Sequence, residues 1–417
     1  MSELSYLEKL LDGVEVEWKP LKDVCDFKNG FAFKSSLFKE TGLPIVRITN
    51  IDGFNVDLDE VKYFSLNDYK EDLSSFEVSM GNILIAMSGA TTGKVGIYKK
   101  GTKCYLNQRV GKFIPKENIL NNNYLYHFLL LNTETIYILA GGGAQPNLSS
   151  NALMSKLLIP IPCPDNPEKS LAIQSEIVRI LDKFTALTAE LTAELNMRKK
   201  QYNYYRDQLL SFDESSVEWK TLLEACDYVD YRGKTPKKTQ SGIFLVTAKN
   251  IRMGYIDYHA SQEFISEEDY AIVMRRGLPK KGDVLITTEA PCGFVAQVNR
   301  ENIALAQRVI KYRSKNTQLS NSFLKHYLLG SQFQDKLMQA ATGSTVKGIK
   351  GSRLHQLKIP IPSKVEQDRI VAILDKFDTL TNSITEGLPR EIELRQKQYE
   401  YYRDLLFSFP KPETVSN

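Results

Sequence analysis

Ile177-Val178-Arg179-Ile180-Leu181-Asp182-Lys183-Phe184 is written a second time as Ile370-Val371-Ala372-Ile373-Leu374-Asp375-Lys376-Phe377. Outward from this element the chain keeps repeating itself at intervals of about 200 residues. Val16-Glu17-Trp18-Lys19 returns as Val217-Glu218-Trp219-Lys220, Cys25-Asp26 as Cys226-Asp227, and Asn50-Ile51 as Asn250-Ile251. Gln108-Arg109-Val110 returns as Gln307-Arg308-Val309, Ile159-Pro160-Ile161-Pro162 as Ile359-Pro360-Ile361-Pro362, and Tyr204-Tyr205-Arg206-Asp207 as Tyr401-Tyr402-Arg403-Asp404. Two similar domains in one polypeptide imply a pseudo-twofold molecule, which suits a target that is itself in two parts.

The repeated element belongs to a helix. Ile177, Leu181, Phe184, Leu187, Leu191 and Leu195 recur at spacings of three and four with charged residues between them, which predicts an amphipathic helix over about 170–212 that needs a partner. A second helix is expected over about 365–409, packed antiparallel to the first. The second copy carries four more residues around Gly387-Leu388-Pro389-Arg390, and Pro389 should kink or break it. In the first copy Thr188-Ala189-Glu190-Leu191 is followed at once by Thr192-Ala193-Glu194-Leu195, a tandem of strong helix formers. Leu181, Phe184, Leu191, Leu195, Tyr202 and Tyr205, with Leu374, Phe377, Tyr399 and Tyr402 in the second copy, are the expected packing and subunit-interface positions. The N-terminal Tyr6-Leu7-Glu8-Lys9-Leu10-Leu11 resembles Tyr205 to Leu210, so the chain starts partway through a repeat. Its C-terminal Tyr402 to Phe409 should dock beside its own beginning, closing a circular arrangement.

Residues from about 18 to 158 and from about 219 to 358 read as short β-rich runs with glycine-marked turns and one late helix each. Ile83-Leu84-Ile85-Ala86 and Val284-Leu285-Ile286-Thr287 follow Gly-Asn and Gly-Asp turns, as buried strands do. The fold class is therefore mixed α/β. At 417 residues with 42% apolar and 25% charged residues, two or three domains can form real cores, and disorder is excluded. No apolar run approaches 18 residues and no signal-like start is seen, so the chain is expected in the cytoplasm, off the membrane. Five cysteines without Cys-x-x-Cys argue against a disulfide framework and a zinc site.

The stretches Met1 to Trp18, Ile159 to Phe212 and Ile359 to Phe409, with the Thr-Ala-Glu-Leu tandem the most specific, resemble the specificity subunit of type I restriction-modification enzymes, in its class C branch. The resemblance implies two target-recognition domains that each read half of a bipartite double-stranded DNA sequence. It implies two methyltransferase subunits on the helical spacers and two restriction-translocase subunits for cleavage. No cofactor is expected on this chain; S-adenosylmethionine, ATP and Mg²⁺ would belong to the partners. The corresponding layout is an N-terminal helix at 1–17, recognition domains at 18–158 and 217–358, a central helical spacer at 159–216, and a C-terminal spacer and tail at 359–417.

Candidate DNA contacts follow from residue type. In the first domain they are Lys34, Arg47, Thr49 and Asn50, then Ser88, Thr91 and Lys94 of a polar loop, and Gln145 and Asn147 of a glycine-rich one. In the second they are Arg232, Lys234, Lys237 and Lys238 of the densest basic patch, with Lys249, Asn250, Thr288, Thr345 and Lys347. Gln and Asn can pair with adenine, Arg and Lys with guanine or phosphate. The Gln108-Arg109 and Gln307-Arg308 recurrence fits DNA contact and a shared structural hydrogen bond equally. Gly89 to Val95 is no P-loop, because only three residues separate its glycines and Val95 follows Lys94. No methyltransferase motif is present, and His127 and His326 lack metal-ligand spacing. The rival readings are a self-sufficient methyltransferase or nuclease with duplicated domains, and a structural coiled-coil adaptor.

Overall fold

The computed structural model describes residues 6–11, 13–142, 146–231, 236–383 and 385–410. It divides into two units, Met1–Thr188 with Arg395–Asn417, and Ala189–Leu394. The sequence landmarks that flag the repeat turn out to pair with each other. Val16–Pro20 runs antiparallel to Leu158–Pro162 with Trp18 opposite Pro160, and Glu218–Thr221 runs antiparallel to Lys358–Ile361 with Trp219 opposite Pro360. These are two-stranded ribbons, where a proline without an N–H is tolerated because one edge faces no partner.

Each unit then builds two four-stranded sheets. In the first unit the order of one is 25–29, 110–115, 83–86, 95–97, all antiparallel; its counterpart in the second is 226–230, 309–314, 284–288, 292–297. The central strand starts the same way in both copies. Gly81 and Gly282 adopt positive φ, and the following Asn82 and Asp283 accept the amides of Ser79 and Lys280. The second sheets diverge at an edge. Glu77–Val78 pairs with Cys104–Leu106 in the first unit, whereas Lys238–Thr239 pairs with Phe264–Ile265 in the second, which inserts a helix at Glu267–Val273.

More helix is present late in each unit than the single stretch read from the sequence. Asn122–Leu131 is followed by Thr133–Leu139 and Ser150–Lys156, and Asn321–Leu329 by Ser331–Ala340 and Gly351–Leu354. Only Ser150–Lys156 opens on a side-chain cap, Ser149 accepting from the Ala152 amide; Thr133–Leu139, Ser331–Ala340 and Gly351–Leu354 start without one, so no capping residue announces them in the sequence.

The long helix runs unbroken from Pro167 to Leu209 through the Thr-Ala-Glu-Leu tandem. Its 43 residues correspond to about 65 Å at roughly 1.5 Å per residue. The second copy is two helices, Lys364–Asn382 and Leu388–Leu406. Pro389 sits in the first turn of the latter, where its missing N–H leaves nothing unsatisfied. Gly387 closes the break at φ +80°, and a Cβ there would lie 2.4 Å from the Thr379 carbonyl oxygen.

The Asn122–Leu131 and Asn321–Leu329 helices are fastened to the spacers by the same joint twice. In the first unit Gln174 accepts the Asn121 amide and donates to the Ile119 carbonyl; in the second Gln367 accepts the Ser320 amide and donates to the Gln318 carbonyl. Eight residues further along each spacer, Asp182 meets His127 Nε2 at 2.8 Å and Asp375 meets His326 Nε2 at 2.7 Å. Lys325 adds contacts of 3.2 Å to both Asp375 and Asp378. Burial alone would raise these two carboxyls, but hydrogen bonds from His127 and Asn123 hold Asp182 below the usual range, and His326 with the Lys325 ammonium does the same for Asp375. Burial outweighs Asp375 at His326 and keeps its imidazole below the ordinary value.

The C-terminal segment docks beside the chain's beginning, within the first unit. Trp18 Nε1 donates to the Pro410 carbonyl at 2.7 Å, and Phe407 lies against Tyr124 at 4.9 Å between ring centroids. Leu181, Leu374, Tyr202 and Tyr399 are buried inside their own units. Phe184 stacks on Tyr402, and Tyr202 and Tyr205 stack on Phe377. Leu191 and Leu195 are half-buried. The four buried positions thus take the packing role expected of them at the spacer joint, which leaves none of their apolar surface for another subunit. No helix among the described residues is long and apolar enough to cross a membrane.

Candidate nucleic-acid interface

Both units open a polar cleft at the same place in the fold. In the first, Met87 N bonds the Arg109 carbonyl and Leu148 N bonds the Met87 carbonyl; in the second, Thr288 N bonds the Arg308 carbonyl and Ile349 N bonds the Thr288 carbonyl. This ladder carries the chain past Ser88 and Asn147 in one copy and past Glu289 and Gly348 in the other. The first cleft, about 850 Å³, is lined by Asn29, Ser88, Gln108, Arg109, Asn147 and Ser150 among others. The second, about 460 Å³, is lined by Thr288, Glu289, Gln307, Arg308, Thr342 and Lys350 among others.

The expected DNA contacts divide into three groups. Ser88 and Asn147 line the first cleft, and exposed Lys94 lies on the same loop as Ser88. The Ile48–Asn50 turn packs against the Gly89–Thr91 turn, where a Cβ on Gly89 would lie 3.4 Å from Ile48 Cδ1. Arg47 Nε, Ser88 Oγ and Thr91 Oγ1 are buried there without a hydrogen-bond partner. Unpaired buried donors cost free energy, and of these three residues Ser88 lines the first cleft, where a ligand would supply the missing bond. Thr92 beside them donates to the Gly89 and Pro146 carbonyls and serves the loop itself. Thr345 and Lys347 are exposed on the Thr342–Gly348 loop at the edge of the second cleft. Lys34, Thr49, Lys237 and Lys249 are exposed, away from the cleft linings except that Lys249 borders a smaller apolar recess of about 330 Å³.

Three expectations, at Asn50, Asn250 and Thr288, are corrected. Asn50 accepts the Arg47 amide and donates to the Glu60 carbonyl. Asn250 accepts from Thr247 N and Oγ1 and donates to the Asp257 and Ser261 carbonyls, so its amide is saturated. Both asparagines are buried loop-builders, and pairing with adenine would dismantle the loop. The Thr288 hydroxyl is buried and donates to the Arg308 carbonyl. Lys238 is exposed on the same recess as Lys249, in a surface ion pair with Glu263 at 2.8 Å. Gln145, Arg232 and Lys234 lie outside the described residues.

Sequence reasoning left the Gln-Arg dipeptides undecided between surface and structure. Each occupies the two central positions of a tight turn closed by Val110 N to the Asn107 carbonyl, or Val309 N to the Ala306 carbonyl. All four side chains are exposed on the clefts. Burial pushes the Cys25 and Cys226 thiols up to about 12, which suits neither to nucleophilic attack.

A family model for the type I restriction modification DNA specificity domain matches residues 13–198 and again 219–394. The chain belongs to this family. Among the specificity subunits it resembles is that of the type I restriction enzyme EcoR124I/EcoR124II from Escherichia coli, 44% identical over all of both chains. A putative type I restriction enzyme specificity subunit of Haemophilus influenzae is 34% identical, over 97% of this chain and 98% of that one. In fold it resembles the crystal structure of a type I restriction-modification S subunit from M. genitalium, with a TM-score of 0.55 at 17% identity, covering 96% of this chain and 98% of that one. Its role is that of a DNA-specificity subunit, not a catalytic one, and neither rival reading gains support.

Proposed function

We propose that each unit presents its cleft to one half of a bipartite duplex target, and that the chain performs no chemistry itself. The observation that carries this is the duplicated cleft, built by one backbone ladder but lined differently: Ser88 and Asn147 in the first unit, Glu289 and Gly348 in the second. Equivalent placement with unlike linings is what two different half-sites require. The recognition domains would correspond to 18–158 and 217–358, joined by the spacers at 159–216 and 359–417.

Two methyltransferase subunits would sit on the spacers, and two restriction-translocase subunits would join them. Exposed Tyr204 beside Tyr205, and exposed Tyr401 beside Tyr402, give the spacers matching aromatic pairs of the kind that anchor interfaces. S-adenosylmethionine, ATP and Mg²⁺ would act on those partners. Lys94, Lys347 and Lys249 would contact phosphate, making affinity fall steeply with salt.

The test is incubation of DNA with S-adenosylmethionine and Mg²⁺, with this chain alone and with its methyltransferase partner. The chain alone should neither methylate nor cleave; the complex should methylate a sequence of two separated halves. Methyl transfer or cleavage by the isolated chain would refute the assignment.

A further inference from the structure

Resting on the DNA-specificity reading above, we propose that the Gln-Arg turn is the base-reading tip of both units, with Arg109 and Arg308 each taking the edge of a guanine. The residue facing that turn across the cleft, Ser88 in one copy and Glu289 in the other, makes the two units read differently.

Several observations converge on these four side chains. The dipeptide is retained in both repeats, yet no buried hydrogen bond explains it, because Gln108, Arg109, Gln307 and Arg308 are all exposed. The turn that carries them is short and pinned at both ends. Its backbone is closed by the Val110 and Val309 amides, and the Arg109 and Arg308 carbonyls accept from Met87 and Thr288. Two side chains side by side on such a turn can address neighbouring base pairs, which stack about 3.4 Å apart. Arginine's fixed fork matches the O6 and N7 acceptors of guanine, and a glutamine amide matches the N7 and N6 of adenine.

The surroundings differ in a way that changes what the arginine meets. Among the described residues no carboxylate pairs with Arg109, and the cleft beside it holds the unpartnered Ser88 hydroxyl. Arg308 instead has Glu289 Oε2 4.0 Å from its Nε, with both side chains half-exposed. A carboxylate at that distance repels a DNA phosphate, so Arg308 is poorly placed as a backbone contact. It suits a base edge, where Glu289 can accept from the N4 amine of cytosine while Arg308 donates to guanine. The second turn also borders the apolar recess lined by Leu245, Ala248 and Lys249, so its two side chains stand between two openings.

The experiment maps methylated sequences made by the complex of the full chain with its methyltransferase subunits, using wild type, Arg109→Ala, Arg109→Lys and Glu289→Ser. Arg109→Ala should lower discrimination at one base pair of one half-site by roughly ten- to a hundredfold. The other half-site, the gap and the salt slope of binding should stay as they are. Arg109→Lys should relax the same position, because lysine keeps the charge and loses the fork. Glu289→Ser should change the preferred base at one position of the other half-site. Thermal melting of each variant checks that these exposed substitutions leave the fold intact.

Uniform weakening on all sequences by Arg109→Ala, with the salt slope reduced by about one, would make Arg109 a phosphate contact and overturn the inference. So would unaltered preferences in all three variants beside a bipartite wild-type preference, and the DNA-specificity reading would then still stand. A wild-type complex with no bipartite preference would remove both.

Discussion

Tyr399 and Tyr202 occupy equivalent places at the spacer joint but are bonded differently. The Tyr399 hydroxyl lies 2.8 Å from His127 Nδ1, and its role as donor leaves Nε2 to face Asp182. The Tyr202 hydroxyl and His326 Nδ1, the corresponding atoms, are both buried without a hydrogen-bond partner. Replacing Tyr399 by Phe should therefore destabilise the first unit by about 1–2 kcal/mol, whereas Tyr202→Phe should be close to neutral. Urea denaturation of the two variants checks this, and equal losses would mean that the two joints are alike. The sequence reading placed both tyrosines in a packing stripe, which is right as to burial. It could not supply the histidine, which lies 272 residues from Tyr399. The same blindness to burial promoted Asn50 and Asn250 to DNA contacts: an asparagine that closes its own loop looks identical in sequence to one that waits for adenine.

At the scale of elements, the repeated Leu-Asp-Lys-Phe segment owes its recurrence to the joint it makes. Asp375 and Gln367 fasten the Asn321–Leu329 helix, and buried His326 stays neutral there, facing Asp375 with Lys325 and Asp378 around it. Its lowered value means that the unfolded chain takes up a proton more readily than the folded one. This contribution to stability is complete above about pH 6.5 and is lost progressively below it. The lowered carboxyls of Asp182 and Asp375 add a second loss only as pH falls through the carboxylate range, below about 4. The melting temperature of the second unit should thus fall between about pH 6.5 and 5, and His326→Gln should flatten that slope at some loss at neutral pH. Melting curves across this range decide it. The helix break is equally specific: Gly387→Ala should destabilise by more than about 1 kcal/mol, because its Cβ meets backbone oxygen at positive φ. Pro389 flagged this break in the sequence. The joint was not legible, since Gln367 and Asp375 read as ordinary polar positions on a solvated helix face.

At the scale of the whole chain, duplication is the property from which the rest follows. It was legible because the segments that tie each copy together, the Trp ribbon and the Ile-Pro-Ile-Pro strand, must keep their pairing partners in both. The cleft linings were legible only in part, because readers of different DNA sequences are free to diverge where Ser88 became Glu289. If each unit reads independently, replacing residues 18–158 by a second copy of 217–358 should make the target's two halves alike, a change visible in the methylated sequence. The central claim is that one chain reads two separate half-sites, and it is tested most directly by selecting DNA from a random library with the complex of this chain and its methyltransferase partner. Two short unlike motifs separated by a gap of constant length and free composition are expected; a single continuous motif, or two halves at variable separation, would overturn the two-headed reading.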